Sequence, residues 1–142
     1  MIKILTIDHV VLRTTQLSAM LNFYCQILGC VEERRLDALG LVQLRAGDAL
    51  IDLVDCAGEL GRQGGVAPRQ NGRNMDHVCL RIAAVDEHGL CAYLEHNGIK
   101  LQEISERYGA TGFGRSLYIA DPEGNVVELK LENRNQGFKD IG

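Results

Sequence analysis

Two similar blocks of alternating apolar and polar residues occur in the two halves of the chain. Ile7–Arg13 reads IDHVVLR and Met75–Arg81 reads MDHVCLR, and five of the seven positions are identical. In both blocks Val and Leu alternate with the residues around them, which predicts a β-strand with two distinct faces. The chain therefore contains an internal repeat, and we expect its two copies to fold alike.

Each repeated strand is followed by a segment in which apolar residues recur at helical spacing. In the first half this segment runs from Leu17 to Leu28, and Gly29 fits the left-handed residue that ends a helix. Thr14 or Thr15 is the expected N-cap of this helix. In the second half Asp86 is the expected N-cap. The two halves therefore both predict a strand followed by a helix.

Three short extended runs follow each predicted helix. They are bounded by Gly, Pro, Asn and Asp, the residues that favour turns. The predicted strands are residues 31–35, 40–45, 49–54, 99–104, 115–120 and 126–131, with tight turns at 47–48 and 121–125. Each half therefore predicts the order strand, helix, strand, strand, strand.

This order predicts an α+β fold of two tandem βαβββ modules that form an eight-stranded, cup-shaped mixed sheet. The modules span about 3–57 and 75–131. Residues 58–74 contain five glycines and no periodicity, so they are expected to form a linker. Residues 132–142 form a polar tail. Because the modules are related by a repeat, equivalent residues are expected to face each other across a pseudo-twofold axis.

Composition narrows the classes of function. The chain has 142 residues and a net charge of −4, which argues against a general nucleic-acid binder because phosphates attract a basic surface. No apolar run is long enough to span a membrane, and we expect no secretory signal. Five cysteines without paired spacing favour reduced thiols in the cytoplasm. The expected partner is a small molecule rather than nucleic acid or a membrane.

The repeat also pairs four residues that can bind a metal. His9 and His77 hold the same place in the two copies, and so do Asp52 and Glu128. Two imidazoles and two carboxylates suit a divalent ion such as Zn, Ni, Co, Mn or Fe, and they leave coordination positions for a substrate. Alternatively, each His is a hydrogen-bonded core residue and each carboxylate lies at a solvated edge.

Longer motifs resemble one family. Asp-His-Val opens each module, Phe23-Tyr24 precedes Leu28-Gly29, and SLYI at 116–119 continues into DPEGNVVEL at 121–129. Together these are similar to the glyoxalase/bleomycin-resistance/dioxygenase proteins, the vicinal oxygen chelate superfamily, over residues 3–131. The stretch 106–112 looks most like small bacterial glyoxalase-like proteins.

The resemblance implies roles for particular residues. The implied metal ligands are His9, Asp52, His77 and Glu128, and the implied catalytic bases are Glu128 and Asp52. The implied substrate-binding residues are Arg13, Arg73, Arg107 and Tyr118. Arg13 follows the first ligand by four residues, as does an Arg that binds a glutathione carboxylate in glyoxalase I, and Arg81 stands in the same relation to His77. The alternative for Arg13 is a residue at a strand end whose side chain only extends to solvent.

The sequence departs from the family at two positions. Asp52 is one methylene shorter than the usual second ligand, and Cys56 stands where a glutathione-binding Asn is expected.

The resemblance implies a divalent-metal-dependent lyase or isomerase, similar to lactoylglutathione lyase, that acts on a small oxygen-chelating and possibly anionic substrate. One alternative is a metal-free protein that sequesters an antibiotic, as the bleomycin-resistance members do. Another is a thiol transferase of the fosfomycin-resistance type, and ring-cleaving dioxygenation needs a similar ligand set. We also expect a homodimer, because open strand edges and apolar helix surface favour a second chain.

Overall fold

The βαβββ order occurs twice along the chain, as the repeat predicts. The computed structural model describes residues 1–133, which divide into two compact units. Unit 1 comprises Met1–Asn74 with Pro122–Gly124, and unit 2 comprises Met75–Asp121 with 125–133. The eight strands are hydrogen-bonded as two four-stranded mixed sheets, one for each module.

Unit 1 holds the first sheet, whose strand order is β1-β4-β3-β2. Strand β1 pairs in parallel with β4, and the other neighbours are antiparallel. Its strands and α-helices are β1 (His9–Thr14), α1 (Leu17–Leu21), β2 (Val31–Leu36), β3 (Leu41–Ala46), β4 (Ala49–Asp55) and α2 (Glu59–Gln63). The parallel pair places the first and last strands of the module side by side.

Unit 2 repeats this topology with the order β5-β8-β7-β6, and again the first and last strands of the module pair in parallel. Its strands and α-helix are β5 (His77–Ile82), α3 (Glu87–His96), β6 (Glu103–Gly109), β7 (Gly112–Ala120) and β8 (Val126–Leu131). The described part of the chain has no helix with the length and apolar character needed to cross a membrane.

One face of each sheet forms the core. In β1 the side chains of Leu12 and Thr14 are buried, whereas His9 and Val11 are exposed. This alternation follows from the period of two along a strand. It leaves a second face in each unit that carries polar side chains, and the candidate site residues lie there.

The first helical segment differs from the prediction in its details. Leu17–Leu21 is α-helical, but Asn22–Ile27 continues as a π-helix. The prediction that Thr14 or Thr15 caps this helix is wrong, because the N-cap is Gln16 and no side chain caps the helix. Gly29 has a positive φ of 84°, as the predicted helix end requires.

The second half contains a larger difference. The predicted strand 99–104 is displaced, because β6 begins at Glu103 and forms a hairpin with β7 that turns after Gly109. Gly112 has φ 91°, which glycine adopts without steric cost. Residues 58–74, expected to be a linker, belong to unit 1 and contain α2. The residues expected to form the polar tail lie outside the described residues from position 134 onwards.

The two edges of each sheet differ in charge. In β2 four consecutive charged residues, Glu32 to Arg35, are all exposed, and in β6 Glu103, Glu106 and Arg107 are exposed. The opposite edge strands, β1 (HVVLRT) and β5 (HVCLRI), each contain one Arg, one His and otherwise uncharged residues. Each sheet therefore has one highly charged edge and one edge with few charges.

Candidate metal centre

In unit 1, His9 and Asp52 lie on the same face of the sheet. His9 begins β1, and Asp52 is the register partner of Val11, which is two residues along the strand on that face. Asp52 is 4% exposed, and its Oδ2 accepts a hydrogen bond from Nε2 of Gln43 at 3.2 Å. Its Oδ1 is buried without a hydrogen-bond partner among the described residues. The carboxylate is therefore held from one side and unsatisfied at its second oxygen.

Unit 2 repeats this arrangement with His77 and Glu128. His77 begins β5, and Glu128 is the register partner of Cys79. The two side chains are in contact, with 3.2 Å between His77 Nε2 and Glu128 Oε1. The sequence pattern placed each His within its strand, but the structure places each at the strand's first residue.

Neighbouring side chains on β7 and β5 orient the Glu128 carboxylate. Ser116 donates to Oε2 at 2.6 Å and Tyr118 donates to Oε1 at 2.9 Å. Burial alone would raise the pKa of Glu128, but hydrogen bonds from Ser116, Tyr118 and Cys79, together with the charge of His77, outweigh it and lower the pKa. Glu128 is therefore ionised at neutral pH, the form in which a carboxylate binds a metal.

Each histidine is held by the aspartate that precedes it. His9 Nδ1 lies 2.7 Å from Asp8 Oδ1, and His77 Nδ1 lies 2.6 Å from Asp76 Oδ2. A carboxylate on Nδ1 fixes the ring and makes Nε2 the ligand nitrogen, which is the usual outer contact of a metal-bound histidine. Sequence reasoning used both aspartates as part of the repeat and missed this role. Their position directly before each histidine was the available signal.

The His9–Asp52 and His77–Glu128 pairs have donor groups that suit a divalent ion. Asp52 offers an unsatisfied oxygen, and the aspartate contacts fix both imidazoles through Nδ1. Within residues 1–133, no three His, Cys, Asp or Glu side chains form a group that could hold a metal ion. Each unit instead supplies one His–carboxylate pair of the four predicted ligands.

The contact between Asp8 and His9 has a measurable effect on the pKa of His9. The hydrogen bond to Asp8 is the main cause that raises the pKa of His9 above 6.5, and the charge of Asp52 acts in the same direction. A metal binds the neutral imidazole, so a raised pKa means that protons compete with the metal at a higher pH. We expect the His9 resonances in a metal-free NMR titration to have a midpoint above 6.5 and Asp8→Asn to lower that midpoint.

Asp48→Asn is the matched control, because Asp48 is exposed in the β3–β4 turn of the same unit. It removes the same charge and should leave the midpoint unchanged. An unchanged midpoint in Asp8→Asn would contradict the assigned contact.

Arg13 makes contacts that its predicted role did not include. Its guanidinium donates to the backbone carbonyls of Gly61 at 3.1 Å, Gly65 at 2.8 Å and Val66 at 3.1 Å. These contacts tie the segment that follows β4 to β1, so the side chain does not simply extend to solvent as the alternative for this residue expects. Substrate binding by Arg13 stays a prediction. The guanidinium already donates three hydrogen bonds to backbone carbonyls.

The other predicted substrate-binding residues lie in different surroundings. Arg73 is exposed in unit 1. In unit 2 Arg107 donates to the Tyr118 hydroxyl at 3.2 Å and to Glu103 at 2.8 Å, and Tyr118 in turn donates to Glu128. The structure therefore links Arg107 and Tyr118 to the Glu128 carboxylate, while their binding of substrate stays a prediction.

Cys79 is exposed on β5. Partial burial of the thiol, and then the charge and hydrogen bond of Glu128, raise its pKa to about 11. Cys79 is therefore a protonated donor to Glu128 at neutral pH rather than a nucleophile. His88 and His96 are exposed on α3.

Comparisons with known proteins agree with this architecture. A solved virulence protein from Salmonella typhimurium is 25% identical, with a TM-score of 0.73 over 93% of this chain and 100% of that chain. An integron cassette protein from Vibrio cholerae is 24% identical, with a TM-score of 0.71 over 94% and 99%. Lactoylglutathione lyase from Agrobacterium tumefaciens is 22% identical, with a TM-score of 0.61 over 89% and 92%.

A comparison with curated proteins gives no match. The family model of the Glyoxalase/Bleomycin resistance protein/Dioxygenase superfamily matches residues 6–129. This match covers both βαβββ modules and all four predicted metal ligands. The chain belongs to the Glyoxalase/Bleomycin resistance protein/Dioxygenase superfamily.

Proposed function

We propose that this protein is a divalent-metal-dependent, glyoxalase-like lyase or isomerase that acts on a small substrate with two adjacent oxygens. One observation carries the proposal: each unit has a His–carboxylate pair on the polar face of its sheet, with the histidine tied by Nδ1 to the preceding aspartate. A structural histidine has no need of this contact in both copies, whereas a metal ligand does.

The residues that would hold the ion are His9, Asp52, His77 and Glu128. When bound, a divalent ion polarises a substrate oxygen and so stabilises negative charge in the transition state. Asp8 and Asp76 keep each imidazole in one orientation, and Gln43 keeps the Asp52 carboxylate in place. These contacts hold the ligand side chains in a fixed geometry, which metal binding requires.

Glu128 is the proposed general base. Its lowered pKa leaves it ionised and ready to accept a proton at neutral pH. Ser116 and Tyr118 each donate to one of its oxygens, so the carboxylate is held by two neutral donors on β7. Asp52 is the corresponding carboxylate of unit 1, and its shorter side chain has one free oxygen for the same purpose.

Metal titration followed by activity measurement tests the proposal. We expect one tightly bound ion per chain when metal-free protein at pH 7.5 is titrated with Zn²⁺, Ni²⁺, Co²⁺ or Mn²⁺. The loaded protein should then convert a hemithioacetal faster than the metal-free protein does.

Two further substrates separate the alternatives. Turnover of an epoxide with a thiol, in place of the hemithioacetal, would assign a thiol transferase, and turnover of a catechol would assign a dioxygenase. Absence of tight metal binding would overturn the proposal and leave ligand sequestration as the favoured function.

A further inference from the structure

Cys25 and Cys30 lie on either side of the turn that ends the first helical segment. Cys25 belongs to the π-helix Asn22–Ile27, and Cys30 directly precedes β2. Both residues are half-buried, and both line the same surface pocket of unit 1. The pocket therefore brings together two sulfur-bearing residues that the candidate metal centre does not use.

The backbone of this turn sets the distance between the two cysteines. The Cys30 N–H donates to the Tyr24 carbonyl at 2.8 Å. One residue earlier, the Gly29 N–H donates to the Cys25 carbonyl at 3.2 Å. Standard peptide dimensions then keep the Cα atoms of Cys25 and Cys30 within about 7 Å of each other. Because disulfides usually join Cα atoms that are about 4.4–6.8 Å apart, the turn places the pair near the separation that such a bond spans.

The charge of one thiol acts on the other. Burial is the main cause that raises the pKa of Cys30 to about 11, and the charge of Cys25 acts in the same direction. Burial, and then the charge of Glu32, raise the pKa of Cys25. Both thiols are therefore protonated at neutral pH. Burial disfavours the charged thiolate alone, so a neutral disulfide in the same place carries no such penalty.

The other three cysteines lack this arrangement. Cys56 follows β4, Cys79 lies on β5 and Cys91 lies on α3. Burial and the charges of nearby carboxylates raise the pKa of each, and no second cysteine is among the causes. All five cysteines lie in the described part of the chain, so Cys25 and Cys30 are the pair in which one thiol acts on another.

We propose that Cys25 and Cys30 are a redox-modification site, at which a small-molecule disulfide oxidises the pair to an intramolecular disulfide. In the first step the Cys25 thiolate attacks one sulfur of the small disulfide, whose S–S bond breaks and releases one small thiol. In the second step the Cys30 thiolate attacks the Cys25 sulfur, and the second small thiol leaves. Two protein thiols are thereby oxidised, the small disulfide is reduced to two thiols, and these thiols take up the two protons that the cysteines lose.

Oxidised glutathione is the probe for this exchange. The wild-type protein is incubated with the probe at mildly alkaline pH, its remaining thiols are alkylated, and its tryptic peptides are analysed by mass spectrometry. Cleavage after Arg13 and Arg34 places both cysteines in peptide 14–34 and every other cysteine in a different peptide. We expect this peptide to be lighter than its reduced form by two hydrogen atoms and to carry no glutathione. Treatment with dithiothreitol before alkylation should restore both alkylation sites.

A glutathione redox buffer measures what the fold contributes to this bond. Cysteines this close in sequence can also pair in an unfolded chain, so the same equilibrium is measured in urea. We expect the equilibrium constant for disulfide formation to be at least about tenfold larger in the folded protein, because the turn holds the two sulfurs at a higher effective concentration. Equal constants in the folded and unfolded protein would overturn the proposal.

Two variants identify the reacting sulfurs. Cys30→Ser should stop after the first step and leave one glutathione on Cys25. Cys91→Ser is the matched control, because Cys91 is also half-buried with a raised pKa, and it should form the disulfide as the wild type does. An unmodified peptide 14–34, a mixed disulfide that persists in the wild type, or a bond to a different cysteine would overturn the proposal. No predicted metal ligand takes part, so the inference stands or fails independently of the proposed function.

Discussion

We expect the replacement of His77 with Ala to lower the affinity of the protein for Zn²⁺ by at least about a hundredfold. Loss of an outer contact to a metal-bound histidine costs about 10–100-fold in affinity, and loss of the ligand itself costs at least as much. The substitution also leaves Glu128 without the imidazole that lies 3.2 Å from its Oε1. Competition titration against a chelator of known affinity, in metal-free buffer at pH 7.5, measures the change.

His96→Ala is the control for this experiment. His96 is exposed at the end of α3, so the same side chain is removed from the same unit without touching the sheet. The control should bind Zn²⁺ as the wild-type protein does. Because His77 is itself exposed, its variant should melt within a few degrees of the wild type. Equal affinities of wild type and His77→Ala would remove His77 from the ligand set.

We expect the replacement of Phe23 with Ala to lower the free energy of unfolding by about 3–5 kcal/mol, the usual cost of deleting a buried aromatic ring. Phe23 is 1% exposed, and its ring meets that of Tyr24 edge to face at a centroid distance of 4.9 Å. Both rings belong to the π-helical segment, so loss of the Phe23 ring leaves a cavity beneath the helix that follows β1. Urea unfolding followed by circular dichroism measures the change.

Phe113→Ala provides the comparison. Phe113 also forms an edge-to-face pair, with Tyr108 at 5.1 Å, but it is 66% exposed. Removing this ring should cost no more than about 1 kcal/mol, because little apolar surface is withdrawn from a core. Similar costs for the two substitutions would mean that ring pairing, rather than burial, sets the contribution of the phenylalanines.

The sequence predicted the strands best where turn residues bound a run on both sides. Strand β8 has the predicted limits, because the turn at 121–125 fixes its start. Strand β6 was displaced, since Gly109 and Gly112 form a hairpin turn within a run that also contains the strand-forming residues Tyr108 and Phe113. The π-helix at Asn22–Ile27 was not predicted, because the sequence of six residues shows no periodicity that distinguishes a π-helix from an α-helix.

The sequence was sufficient to name the candidate ligands, but it revealed less of the side chains that surround them. The repeat aligns His9 with His77 without any structure, since it needs only two similar motifs. The contacts of Arg13 depend on the conformation of a glycine-rich segment that shows no pattern in the sequence. Likewise, the hydrogen bonds from Ser116 and Tyr118 to Glu128 follow from the register of β7 on β8, which one strand alone does not reveal.

The unequal edges of the two sheets limit how copies of this fold can associate through their strands. At β2 and β6 an added strand would meet several exposed charges, whereas β1 and β5 each contain one Arg, one His and otherwise uncharged residues. A sheet that accepts a strand on one side only has a valence of one. Either sheet can therefore end in a closed pair, but it cannot grow into a continuous sheet, because growth requires both edges of the same sheet to accept a strand.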